Sequence, residues 1–412
     1  MTKPHLLIPL ILLACFATAH AEAKLTLTVR NDNVARRNTP IVAQVPADAA
    51  LSRSVKLMPG DLPAQVERTD DHFLLRFVVP ELPANETRRY LVGASTPSGP
   101  SRGFLFEEGP GYRELRFGKQ PVYRYMMMKY DPADRDNTVK PFHHLYGLHE
   151  EGLITKGPGG METHHRGLFF GFSTPFGNFW ACKDVDQRHV KNVEERQFAG
   201  AVAARSTSVV EWMAKDAKPV VRDTREVTAW RVSPDEVILD FDITAESLAG
   251  DIPLTGDPHH GGFHFRAAEE VAEQLPPAAS KPTGGAGGGT TKKATLHSGG
   301  ATYLRPASAR LIKDDNWSDC PWAACLFTVK NNPYVVVHMD DPANPKPTTY
   351  STRPYGRFGA FFTTTLKPGQ PLKLRYRVVL LDGKVYAGAT ADSLAPLYAD
   401  FTSAPTVTFE GP

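Results

Sequence analysis

Fourteen histidines are spread unevenly along the 412 residues, and nine of them fall in three places. The first is His143, His144, His149, His164 and His165; the second is His259, His260 and His264; the third is His338, in His338-Met-Asp340. Imidazole titrates nearest neutrality and also ligates metals, so such groups point to proton transfer or ion binding. In Glu162-Thr-His-His-Arg-Gly-Leu-Phe-Phe-Gly-Phe172 the histidines enter an apolar, aromatic run. An extended chain puts His164 and Arg166 on one face and His165 on the other. One of the two histidines is then a general acid/base, with Arg166 beside it to hold an anionic or hydroxylated ligand. The plainer alternative is a histidine packed at a strand start and bonded to backbone.

In Pro141-Phe-His-His-Leu-Tyr-Gly147, His144 and Tyr146 alternate onto one face and suit proton transfer or contact with sugar hydroxyls. Asp257-Pro-His-His-Gly-Gly-Phe-His-Phe-Arg266 puts His260, His264 and Arg266 in one alternating set. His260 and His264 would chelate as a pair only on a helix, which Gly261-Gly262 disfavours. His338 and Asp340 share a strand face, as a base and its orienter would. Tyr350-Ser-Thr-Arg-Pro-Tyr-Gly-Arg-Phe-Gly359 is dense in Tyr, Arg and Gly, the surface expected for sugars; Trp180, Tyr350 and Tyr355 are candidate stacking platforms. The chain contains no Gly-x-Ser-x-Gly, no phosphate loop, no His-Glu-x-x-His and no Gly-x-Gly-x-x-Gly before a helix. Serine hydrolase, nucleotide, zincin and nicotinamide chemistries are therefore disfavoured.

The elements that must position these residues read as strands. Gly 33 and Pro 35 predict many turns and few long helices. Residues 24–97 form a small β module, with alternation in Lys24-Leu-Thr-Leu-Thr-Val29 and Phe73-Leu-Leu-Arg-Phe-Val-Val79. Thr96-Pro-Ser-Gly-Pro-Ser101 is the expected boundary, and residues 102–412 form a large β domain. Within it, Val237, Leu239, Phe241 and Ile243 share a face, as do Leu372, Leu374, Tyr376, Val378 and Leu380. Such period-2 alternation predicts antiparallel strands with one wet face. Helices are expected only at Ala267–Leu275 and Ala391–Asp400, the second limited by Pro396. The Gly-rich stretch 276–293 should be a flexible surface insertion.

Residues 1–21 read as a secretory signal cut after Ala19-His20-Ala21; the alternative is a lipobox that acylates Cys15. Export leaves Cys182, Cys320 and Cys325 in the mature chain, an odd number with poor zinc spacing. No later apolar run is long enough to span a membrane. A net charge of +2 argues against a nucleic-acid partner.

Lys140-Pro-Phe-His-His-Leu-Tyr146, His164-His-Arg-Gly-Leu-Phe-Phe-Gly171 and Gly261-Gly-Phe-His-Phe-Arg266 together resemble the methane oxygenase PmoA family of uncharacterised exported bacterial proteins. Pro321-Trp-Ala-Ala324, Asp341-Pro-Ala-Asn-Pro-Lys-Pro347 and Arg353-Pro-Tyr-Gly-Arg-Phe358 extend the resemblance over most of residues 25–385. It implies a large antiparallel supersandwich similar to galactose mutarotase, in a family often encoded beside sugar-degradation genes. It implies no methane chemistry, because that monooxygenase subunit is a bundle of membrane helices. Nor does it supply catalytic residues.

The expectation is an all-β, carbohydrate-active protein. His164 or His165 would transfer the proton, with His144 and Tyr146 opposite; His338 and Asp340 would complete the cleft. Arg166, Arg266 and His264 would orient a glycoside or uronide. A binding protein without turnover is the second expectation. A metal-dependent version, holding a divalent ion on His144, His165, His260 and His338, is the third.

Overall fold

The computed structural model describes residues 25–46, 51, 54–69, 72–94, 103–149, 151–191, 195–275 and 300–410. The proposed export segment with Cys15, the boundary at 96–101 and the insertion at 276–293 lie outside the described residues.

Three large antiparallel sheets dominate. The first has seven strands in the order Arg36–Val45, Phe73–Leu82, Leu62–Arg68, Ser54–Met58, Thr87–Ala94, Thr26–Arg30 and Thr406–Glu410. Leu27, Val29, Leu57, Leu75 and Phe77 alternate inward to form its own core. The last strand pairs Thr26 with Glu410 and Arg30 with Thr406. The division at residue 102 therefore needs one correction: the chain's final strand completes the small N-terminal sheet.

The other two sheets face each other. A ten-stranded sheet runs in the order Arg310–Lys313, Asn316–Ser318, Thr349–Arg353, Arg357–Phe361, Gly262–Arg266, Leu168–Gly171, Phe142–Leu145, Gln120–Met126, Tyr112–Phe117 and Phe104–Gly109. A nine-stranded sheet runs Asp186–Val190, Ala203–Met213, Pro219–Ser233, Glu236–Ser247, Leu372–Asp382, Asn332–Asp340, Trp322–Val329 and Thr302–Leu304, with Gln197–Ala199 on the side. Segments before and after residues 276–299 lie in the same sheets, for Gly262–Arg266 pairs with Arg357–Phe361. The architecture is thus the expected all-β antiparallel supersandwich with a small N-terminal β module.

Alternation decides which side chains fill the space between the sheets. Leu239, Phe241 and Ile243 from one sheet meet Leu168, Phe170, Phe263, Phe265 and Phe358 from the other. The outer face of the nine-stranded sheet was expected to be wet, and a large part of it is covered. Trp230, Ile238, Val335, Val337, Val379 and Leu381 pack there beneath Leu394 and Phe401, from the helix Ala391–Thr402. Thr390 caps that helix, accepting from Ser393 N, and Pro396 is accommodated within it. The other predicted helix is shorter, Glu269–Glu273.

The small module is joined to the sandwich through polar contacts. Gln65 Oε1 accepts from Val202 N at 2.7 Å and Ala203 N at 3.1 Å. Asn38 donates to Glu236 at 2.9 Å, and Arg36 pairs with Asp400 at 2.7 Å.

Candidate functional site

The outer face of the ten-stranded sheet carries the polar group. Register places Phe169, His264 and Gly359 side by side on it, and Arg266, Arg357 and Arg353 in a second row. Gly359 is required here: a Cβ would lie 2.7 Å from the His264 ring and 2.2 Å from Phe263 O. Loops then bring further side chains over these rows. Asn178 Oδ1 accepts from Trp180 N at 2.9 Å and Ala181 N at 2.7 Å, fixing the loop that carries Trp180.

Four imidazoles pack around that buried indole. Ring centroids of His164, His165, His260 and His264 lie 5.4, 5.2, 5.6 and 5.1 Å from Trp180. Phe169 lies 4.8 Å from it. Trp180 is therefore a post within the cluster, and its expected role as an open stacking platform is corrected.

His164 and His165 depart from the extended geometry read from sequence. The strand begins only at Leu168. Before it, His165 N donates to Glu162 O at 2.9 Å, and Glu162 has the left-handed φ of 55°. The turn brings both rings to the same side, 4.4 Å apart. Expecting one ring on each face is thus corrected. His165 also stacks on half-buried Tyr355 at 6.0 Å, and Arg266 lies over the same ring at 4.9 Å.

His264 donates from Nε2 to Gly261 O at 2.8 Å, which leaves Nδ1 to accept from Arg357 at 3.2 Å. Arg357 also donates to Ser351 Oγ at 3.1 Å. His259 is bracketed by Asn316 at 2.9 Å and by Arg353. His260 Nδ1 meets both oxygens of Asp257 at 3.1 Å, and this pair is half exposed. Imidazole and orienting carboxylate were expected at His338 and Asp340; the structure forms that arrangement at His260 and Asp257.

Burial is the main cause of every resolved histidine shift here. It brings His164 down to about 3 and His259 to about 4, and holds His165 and His264 well below the usual value. Burial alone would raise Asp257, but hydrogen bonds from the His260 ring and the His259 amide outweigh it and lower the carboxyl. Lys140 is buried, donates to Trp180 O and is brought down to about 7 by desolvation.

Among the described residues several polar atoms of this cluster are buried with no hydrogen-bond partner: His164 Nε2, His165 Nδ1, Trp180 Nε1, Arg266 Nε and Arg357 Nε. Buried polar atoms are ordinarily paired, so their concentration here makes this face the candidate functional surface. The charge is also one-sided. Among the described residues Arg166 donates to the carbonyls of Thr163, His165 and Asp136. Among the described residues Arg166, Arg357 and Lys140 have no carboxylate partner, whereas Arg266 pairs with Glu269 at 3.2 Å.

Other expected members lie elsewhere. His338 is fully buried between the sheets, with Nδ1 3.0 Å from the hydroxyl of equally buried Tyr350. Asp340 accepts from Asn344 at 2.7 Å and Thr348 at 2.8 Å, and pairs with Lys346. His338, Asp340 and Tyr350 are thus core residues, because the strand Asn332–Asp340 is covered on both faces. His144 shares the sheet face of His264 but is held by Thr155 Oγ1 at 3.0 Å, and Tyr146 donates to Glu114 at 2.5 Å. An ion held by His144, His165, His260 and His338 is excluded by these placements. Sequence reading passed over Lys140, Glu162, His259, Asp257, Arg353 and Arg357 as site residues; the Arg-x-x-x-Arg spacing across a tight turn, which returns both arginines to paired register, was the available signal. Cys182, Cys320 and Cys325 are free and buried, with Cys320 and Cys325 pushed up to about 12 by desolvation.

Fold and site together define an antiparallel sandwich with a histidine- and arginine-rich patch on one sheet's outer face. The chain belongs to DUF6807, a family of unknown function, which it matches over residues 113–395. No curated protein matches the sequence. Among solved structures, a protein in glycosyl hydrolase family 38 from Enterococcus faecalis is similar at 8% identity and a TM-score of 0.42, covering 95% of this chain and 48% of that one. This chain spans about half the length of that relative. Among the described residues no helix is long and apolar enough to cross a membrane.

Proposed function

We propose that this chain is an exported carbohydrate-active protein whose ligand is an acidic sugar, a uronide, bound over the outer face of the ten-stranded sheet. The carrying observation is the buried cationic floor of Arg357 and Arg166, which have no carboxylate partner among the described residues, beside Arg353, whose Nη1 lies 3.9 Å from Asp315. A buried guanidinium is stable when an anion meets it, and its planar fork matches a carboxylate. Half-buried Tyr355 offers a ring face, and the unpartnered nitrogens offer donors and acceptors to hydroxyls. His260, oriented by Asp257, is the exposed imidazole placed to take a proton. Taken from the carbon beside a carboxylate, that proton begins either elimination or epimerisation, and the nearby arginines oppose the charge that develops. The resemblance to the PmoA family fits an exported, sugar-linked setting.

The test is calorimetry and a turnover screen with polyuronides and their neutral counterparts. Uronides should bind in preference to neutral glycans, and Arg353→Gln should weaken binding by about tenfold, the loss of one charge-assisted contact. His260→Ala should lower turnover by roughly a hundredfold while binding persists. Equal binding of neutral glycans, or binding unaffected by Arg353→Gln, would overturn the acidic-sugar reading. Uronide binding with no turnover of any substrate would sink the catalytic half alone.

A further inference from the structure

We propose that Glu162, His164 and His165 form a binding site for a divalent transition-metal ion, open on one side toward the sugar. The inference shares its location with the acidic-sugar reading and rests on that reading only for what occupies the open side. One donor atom from each of the three residues lies within 4.8 Å of the others. Ligands sharing one zinc-like ion at roughly 2.0–2.2 Å sit about 3.4 Å from each other, so modest side-chain rotation closes the set.

The second observation is independent of that spacing. His165 is 2% exposed, and among the described residues its Nδ1 has no hydrogen-bond partner. Aromatic packing around Trp180 explains where the rings lie, but packing alone gives no use to the buried, unpartnered His165 Nδ1. An ion does, because imidazole binds metal through an unprotonated nitrogen. Glu162 is exposed enough to swing, and its oxygen already lies 3.8 Å from His164 Nδ1. It also supplies negative charge where Lys140 and Arg166 would otherwise repel a dication; the Lys140 ammonium is engaged by Trp180 O and Arg166 by carbonyls.

The donor set indicates which ions fit. Two imidazoles and one carboxylate suit zinc, cobalt, nickel or ferrous iron; calcium and magnesium prefer all-oxygen cages. Three protein ligands leave at least one coordination position. His260, stacked on His164 at 6.4 Å, flanks that side, and a uronide carboxylate or hydroxyl is the ligand that would complete it.

Zinc chloride and cobalt(II) chloride should be titrated into the chelator-treated full chain by calorimetry and visible absorption. One equivalent should bind, with cobalt giving the absorption of a low-coordinate site. Glu162→Gln should weaken binding by at least about tenfold, and His164→Gln with His165→Gln should abolish it. His144→Gln, outside the set, should leave it unchanged. Glu162 lies at the surface, so its variant should keep the parent melting temperature and tests the site even where His165→Gln misfolds. No uptake of either metal, or equal uptake by Glu162→Gln, would overturn the site. Uronide should be titrated in parallel without metal. Sugar binding with no metal uptake removes the metal site and spares the sugar; metal uptake with no sugar binding does the reverse.

Discussion

At the scale of single residues, two histidines show how position overrides chemical type. His338 packs against Phe263, Phe358 and Tyr376 and bonds the Tyr350 hydroxyl, all inside the sandwich. His260 sits on an exposed turn beside Asp257. His338→Ala should therefore leave a cavity and strip Tyr350 of a side-chain partner, destabilising the fold by about 3 kcal/mol. His260→Ala should shift stability by no more than about 0.5 kcal/mol. Denaturant midpoints of the two variants check this, and an equally stable His338→Ala would contradict the core assignment. The sequence shows why these two could be confused. Alternation correctly set His338 and Asp340 apart from their neighbours, but a strand cannot report from its own residues that both its faces are covered. Conversely, Glu162-Thr-His-His looked extended because an apolar strand follows, and only the left-handed Glu162 turns both rings together.

At the scale of elements, strands were the most legible feature, because period-2 runs such as Val237 to Ile243 state which side chains go inward. The covering of the opposite face was not legible, since it depends on where a distant helix and the small module dock. That docking has a measurable electrostatic consequence at Glu236, the first residue of its strand. Burial raises its carboxyl to about 7, although Asn38 and Tyr386 donate to it; Arg37 acts to lower it and Asp400 to raise it. The folded chain thus keeps a proton that the unfolded chain releases near its ordinary value of 4.5. Between those two pH values the native state binds more protons, so stability falls as pH rises and the contribution is lost above about 7. Glu236→Gln should remove that slope and be more stable than the parent by about 2–3 kcal/mol at pH 8, while matching it at pH 4. Denaturant unfolding at both pH values reads this directly. Parallel parent and variant profiles would mean that the carboxyl is ionised in the fold at its ordinary pH.

At the scale of the whole molecule, the first described strand and the last lie side by side, so the small sheet closes only after the entire sandwich has been traversed. Each module nevertheless has a separate apolar core, Leu27 to Phe77 in one and the inter-sheet layer in the other. Val407 and Phe409 of the closing strand pack against the small core, and Arg89 pairs with Glu410 at 3.0 Å across the same sheet. The surface ion pair contributes little on its own, so the strand's value lies in its backbone ladder and those two apolar side chains. Removing residues 405–412 should leave Thr26–Arg30 as an unpaired edge. The small module should then melt earlier than the sandwich, giving two transitions where a single one is expected of the full chain. Hydrogen exchange should quicken across Thr26–Arg30 and Thr87–Ala94, and stay slow in Gly262–Arg266. The ligand binding proposed for the histidine patch should persist, since none of its side chains belongs to the small sheet. A truncated chain that unfolds in a single transition and loses the patch with it would show that the sandwich cannot stand without the small module, and that the two cores are one folding unit.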